Sequence, residues 1–191
     1  MRNKDTFSPK GHLKIYKQYL NGTEELIFDE HNIIVSGMGV GLSYLFSASG
    51  SDKITDFQIR FAQLGSDGDL NNYGTSTFEL NSPLDSDDYS VHLLKSTHTQ
   101  IKNGATVTSQ SFIEIPFNHI QKISPTAVRF TIVIPSEALN TLEDNLSEIG
   151  LFMSNPKKTT PKQSILVAYR PFTEIIKTEE FALLFKWIIT F

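Results

Sequence analysis

Residues 181–191, Phe-Ala-Leu-Leu-Phe-Lys-Trp-Ile-Ile-Thr-Phe, decide the fold class. Phe181, Leu183, Phe185, Trp187, Ile189 and Phe191 occupy alternate positions, with Ala182, Leu184, Lys186, Ile188 and Thr190 between them. Successive side chains of a strand point to opposite faces, so a period of two places every large apolar group on one side. A strand with one wholly apolar face needs a second layer against it. Phe181, Phe185, Trp187, Ile189 and Phe191 are therefore expected in the core or in a subunit interface.

Working back along the chain, the same pattern recurs. Residues 165–170 read as a strand stopped by Pro171, and residues 146–153 as another. Val128, Phe130, Ile132 and Ile134 alternate up to Pro135. Strands at 89–101 and 105–117 flank Asn103-Gly104, and strands at 12–20 and 23–30 flank Asn21-Gly22. Asn-Gly tolerates the positive φ that a two-residue hairpin turn requires. Phe57, Ile59 and Phe61 alternate with Gln58 and Arg60, which predicts a strand over residues 56–64. The single helix expected lies near the N-terminus, over about 37–47, where Val35, Met38, Leu42, Leu45 and Phe46 recur at helical spacing. Its three glycines predict a short helix held by packing. The expected architecture is a mostly β, single-domain antiparallel β-sandwich over residues 12–191, preceded by an arm at 1–11.

Composition narrows the function. The chain has 191 residues, 39% of them hydrophobic, enough for one substantial core. A net charge of −4 gives no electrostatic reason to expect nucleic acid. Cysteine is absent, so thiolate metal sites and disulfides are excluded. The first residues carry charge without an apolar core, and no run is apolar enough to span a bilayer, so neither secretion nor a membrane is expected.

Chemical motifs are few. Gly37-Met38-Gly39-Val40-Gly41 follows an apolar strand, as a phosphate-cradling loop would, but Leu42 breaks the G-x-G-x-x-G spacing. The expectation is a tight turn or close packing. Asp67, Asp69 and Asn71 match the first three ligands of a calcium loop, but Asn72 and Phe78 stand where it needs Gly and a bidentate Glu. That leaves a solvated acidic segment as the reading and calcium as the alternative. His12, His31, His92, His98 and His119 share no metal-ligand spacing. Glu148 stands in an otherwise apolar run, which predicts a partly buried carboxylate that fixes a strand corner or bridges subunits. No catalytic residue and no cofactor site is expected.

Three segments carry a resemblance: HNIIVSGMGVGLSYLF at 31–46, SEIGLFMS at 147–154, and ILVAYRPFTEIIKTEEFALLFKWIITF at 165–191. Their order resembles small virion structural proteins of tailed bacteriophages, among them tail-fibre, baseplate and neck components. The resemblance implies a non-enzymatic protein made in the host cytoplasm that assembles as a homo-oligomer or ring and docks to other virion proteins. A head-decoration protein is an alternative. So is a receptor- or glycan-binding tail module that uses residues 65–90, a long polar excursion outside the strand pattern. Fourteen Phe residues exceed what a small sandwich hides easily, which also points to apolar surface that meets a partner.

Because the Asp67 segment lacks a closing carboxylate, calcium or a chelator is expected to leave the melting temperature nearly unchanged. Saturable binding at hundredfold excess over Kd would add about 2.7 kcal/mol, a shift that calorimetry resolves and that would refute this reading.

Overall fold

A computed structural model of the protein describes residues 8–65, 100–102, 105–107, 113–138, 145–154 and 164–191, with backbone alone for 100–102 and 105–107. Among the described residues the chain is mostly β, with one α-helix and a curled antiparallel sheet in the form of a half-barrel. The strands are β1 (Lys10–Tyr19), β2 (Glu24–Ile34), β3 (Ile59–Gly65), β4 (Gln100–Lys102), β5 (Ala105–Val107) and β6 (Ile113–Glu114). They continue with β7 (Ile120–Ser124), β8 (Ala127–Ile134), β9 (Leu146–Met153), β10 (Ile165–Ile175) and β11 (Phe181–Thr190). The helix α1 is Gly37–Phe46. It follows the first hairpin and ends one residue before the expected limit.

Nine strands form one continuous sheet in the order β6-β3-β9-β10-β2-β1-β11-β8-β7, and β4 pairs with β5 separately. Two arms meet at β2. Its partners on β1 run from Gly11↔Asn32 to Gln18↔Glu24. On the other side it holds β10 only at Ala168↔Ile34 and Tyr169↔Ile33. The inner faces of both arms nevertheless share one core, in which Leu13, Ile132 and Trp187 belong with Leu64, Leu151 and Phe172. A twisted sheet this wide buries its apolar face by curling over itself.

β11 behaves as its alternation requires. It pairs with β1 from Lys10↔Thr190 to Tyr19↔Phe181 and with β8 from Ala127↔Thr190 to Ile134↔Leu183. Phe181, Leu183, Phe185, Trp187 and Ile189 are buried, while Lys186 and Thr190 face outward. Trp187 donates its indole N–H to Asn32 Oδ1 at 2.8 Å. Gly11 makes that possible, because a Cβ there would stand 1.9 Å from the same oxygen.

Several boundaries differ from those expected. β1 starts at Lys10, so the expected arm gives up two residues to the sheet. Its hairpin has four loop residues, 20–23, not two. Gly22 N–H closes a turn on Tyr19 O at 2.9 Å, and Gly22 itself takes φ +85°. Residues 31–34 continue β2 without a break. Residues 54–57 form a 3₁₀ turn, so the strand expected from 56 begins at Ile59. Pro171 does not stop β10. It lies at a register shift, between Pro171↔Glu148 and Ile175↔Leu146, where the missing N–H costs no ladder bond. Within the expected strands at 89–101 and 105–117, the described residues are β4, β5, β6 and a 3₁₀ turn at Phe117–His119.

The glycine-rich stretch is a packing device. A Cβ on Gly37 would stand 1.9 Å from Leu166 O, and one on Gly41 2.2 Å from Met153 Sδ. These glycines, four apart on one helix face, seat α1 against β10 and β9. Phe46 departs from the expected apolar face and is 84% exposed.

Trp187→Ala is expected to cost about 3–5 kcal/mol, as buried aromatic truncations do. Lys186→Ala loses a partly exposed contact to Glu24 (3.4 Å) and a position over the Tyr16 ring. It is expected to cost less than about 1 kcal/mol. Thermal melts of the two variants against the parent decide this; equal melting points would show that β11 does not carry the core.

Candidate functional site

The curled sheet does not close, and its open side is where apolar surface reaches solvent. The two edge strands, β6 and β7, are joined by residues 115–119, which cross that side. Ile115 anchors the crossing by donating its N–H to Arg60 O at 2.7 Å. Beside it lies a cavity of about 320 Å³ between the arms. Met38, Leu42 and Leu45 of α1, with Phe57, Gln58, Ile59 and Met153, form one wall. Phe117, Ile120, Val128, Phe130 and Phe191 form the other. Among the described residues that line it, Gln58 alone is polar.

The rim of this cavity is exposed and apolar. Phe117 is 53% and Phe191 40% exposed, and Leu45 is exposed beside Phe46. The Arg60 guanidinium stacks 4.8 Å over the Phe117 ring and holds it in place. Phe191 lies just past the end of β11, where its N–H donates to Thr126 O at 2.8 Å. It thus parts from Phe181, Phe185, Trp187 and Ile189, which lie in the core. Alternation at the end of the chain places Phe191 with them, but alternation holds only while both neighbouring strands continue. A second cavity, of about 340 Å³, opens where β10 parts from β2, lined by Lys17, Phe28, Phe172 and Glu174 among others.

Glu148 is buried on β9, opposite Gly65 of β3 and Pro171 of β10. Tyr169 Oη donates to its Oε2 at 2.6 Å. Gly65 leaves the space the carboxylate fills, since a Cβ there would stand 2.0 Å from Oε1. Arg170, also buried, reaches across to β2, donating to His31 O at 2.8 Å and pairing with the Glu30 carboxylate. Its guanidinium lies over the Phe28 ring at 5.1 Å. Arg170 thus ties β10 to β2, where the arms meet, while Glu148 and Tyr169 join strands within one arm.

Pairing of β1 with β2 sets His12 opposite His31, their tilted rings 5.0 Å apart between centroids, a proximity their spacing in sequence hides. Between them and Lys14 sits Asp29, 2.5 Å from His12 Nε2 and 2.8 Å from Lys14 Nζ. The bond from Lys14, and then that from His12, holds the Asp29 carboxyl below its ordinary pKa. His119 ends the turn at 117–119, and His92 and His98 lie outside the described residues. Asp67, Asp69, Asn71 and nearly all of the 65–90 excursion also lie outside them. Among the described residues, no group of three or more His, Asp or Glu is placed to hold a metal ion.

Lys177 is a buried cation that local sequence does not betray. Its Nζ donates to Ser136 O at 2.9 Å and to Thr178 O at 2.5 Å, and lies 5.3 Å from the Phe181 ring. Burial pushes its pKa from 10.5 down to about 8, against an opposing pull from Glu137. The unfolded chain therefore binds more protons than the folded one between those two values, and stability rises with pH across that window. Lys177→Met removes this rise. Relative to the parent, the variant is expected to lose thermal stability as pH goes from about 7 to about 10; parallel melting profiles would refute the assignment.

No family model, curated protein or solved structure matches this chain.

Proposed function

We propose that the chain is a non-enzymatic structural component of a tailed-phage virion, from the tail, baseplate or neck, that works by self-assembly and by docking to other virion proteins. Residues 12–191 would act as one β-rich domain, its two arms packed in the manner of a sandwich. The resemblance of segments 31–46, 147–154 and 165–191 supplies the class of protein. The observation that carries the reading is the exposed apolar rim of Leu45, Phe46, Phe117 and Phe191 beside an apolar cavity. A rim of this kind marks a surface that meets a partner more often than one that faces water. The edge strand β7 lies on the same side, with Ile120 in the cavity wall. Uncovered edges invite pairing, and assembly is one way to cover them.

The test separates folding from assembly. The parent chain is expected to form a defined oligomer, or to be incorporated into particles in which electron microscopy locates it in a ring. The double variant Phe46→Ser/Phe191→Ser, altered at exposed positions, is expected to melt close to the parent yet to fail to assemble. A chain that stays monomeric at high concentration and is absent from purified particles would overturn the proposal. Glycan binding that maps to residues 65–90, in a protein absent from rings, would replace it with a receptor-binding role.

A further inference from the structure

We propose that His12 and His31, set opposite each other on β1 and β2, form a two-nitrogen site for a divalent transition-metal ion of the zinc class. The site does not rest on the assembly reading above.

The pairing of the strands brings the two rings within reach of one ion. Val35 donates its N–H to Val167 O at 3.1 Å, and His31 O accepts from Arg170 at 2.8 Å. Alternate residues of β2 from 31 to 35 thus turn their backbone groups toward β10. The His12–His31 pair is therefore of the non-hydrogen-bonded kind, in which opposed side chains come closest. An ion about 2.0–2.1 Å from an imidazole nitrogen stands about 3.2 Å from the ring centroid, so two imidazoles side by side on one ion have centroids about 4.5–5.2 Å apart. The centroids of His12 and His31 are 5.0 Å apart, so the strands need not part to admit an ion. The His12 side chain is 37% exposed and His31 is exposed, which leaves the approach open from solvent.

Asp29 is the second observation. One of its oxygens stands 2.5 Å from His12 Nε2, and the other accepts from Lys14 Nζ at 2.8 Å. A carboxylate in such a pair only accepts, so His12 carries its proton on Nε2 and presents the Nδ1 lone pair. A carboxylate on the far nitrogen is the usual partner of a metal-binding histidine, whose tautomer it fixes and whose basicity it raises. Lys14 is paired with that same carboxylate, and Ile188 of β11 stands between His12 and Arg129 of β8. Among the described residues no third protein ligand joins the two histidines, so water fills the remaining positions. Imidazole favours zinc, nickel and copper over calcium and magnesium, which take oxygen ligands. An ion here clips β1 to β2 one residue from the Gly11–Asn32 pair, at the corner where β2 changes neighbours.

Zinc is the probe. Before it is added, ring-nitrogen NMR at pH about 7.5 is expected to show His12 as the Nε2–H tautomer. Zinc is then expected to bind saturably by calorimetry, to shift the ring nitrogens of His12 and His31 together and to leave those of His119 unmoved. It should also raise the melting temperature, and magnesium should do none of these things. His12→Asn and His31→Asn are each expected to abolish the binding. Asp29→Ala, which keeps both ligands, is expected to weaken it about tenfold. Because the parent's own ring signals read the site, a variant that fails to fold does not remove the test. Zinc bound equally well by either histidine variant, unaltered affinity in Asp29→Ala, or His12 in the Nδ1–H tautomer would overturn the proposal. So would ring shifts at His119 instead, an equal response to magnesium, or no saturable binding.

Discussion

The hydrogen bond from Trp187 Nε1 to Asn32 Oδ1 is the constraint on which the arrangement of the sheet depends. Asn32 sits where β2 leaves its pairing with β1 and takes up its short pairing with β10. Its other side-chain atom, Nδ2, donates to Ile33 O at 3.1 Å, so a buried amide is satisfied at the corner itself. A buried polar group left alone is costly, and this one keeps its bonds only if β11, β1 and β2 stay in this register. Gly11 shows how tightly the register is set, since any side chain at that position would displace the amide. Slipping by one residue would also turn the Trp187 face of β11 to solvent.

From that corner the two arms diverge, and buried charge rather than backbone pairing holds them beyond it. Arg170 gives its guanidinium to a β2 carbonyl and a β2 carboxylate in place of the ladder bonds that β10 no longer makes there. Glu148 and Tyr169 bond across β9 and β10 within one arm, with Gly65 and the Pro171 shift leaving room for the carboxylate. Buried ionic groups are a poor source of net stability, because desolvation offsets most of their attraction. Their effect here is on geometry: Arg170 keeps its bonds to β2 only at one spacing of the arms.

The same divergence leaves the barrel half closed, and the apolar mouth follows from it. A sheet that closed completely would cover Phe117 and Phe191 with its own strands. Instead α1, seated on β9 and β10 through Gly37 and Gly41, covers part of the opening and leaves a largely apolar cavity. The features that stabilise the corner and those that expose the mouth are thus consequences of one decision, the switch of β2 between neighbours.

Much of this fold is legible in local sequence. The alternation of 181–189 and of 128–134, the mostly apolar run at 146–153 and the Asn21-Gly22 turn each report on neighbours within a few residues. Glu148 was readable as partly buried for the same reason, by its apolar flanks, although the structure buries it completely. The close packing of α1 was readable from its glycines, although Phe46 was not readable as exposed, because helical spacing cannot say how much of an apolar stripe finds cover. Other features required the folded chain. The His12–His31 contact, the burial of Lys177 and the departure of Phe191 from the core all depend on residues far apart in sequence. Side-chain period and turn chemistry are properties of adjacent residues, so the sequence by itself determined the strands and which face of each is apolar. Strand order, the curl at β2 and the satisfaction of single polar atoms arise from long-range pairing, and only the tertiary structure decided them.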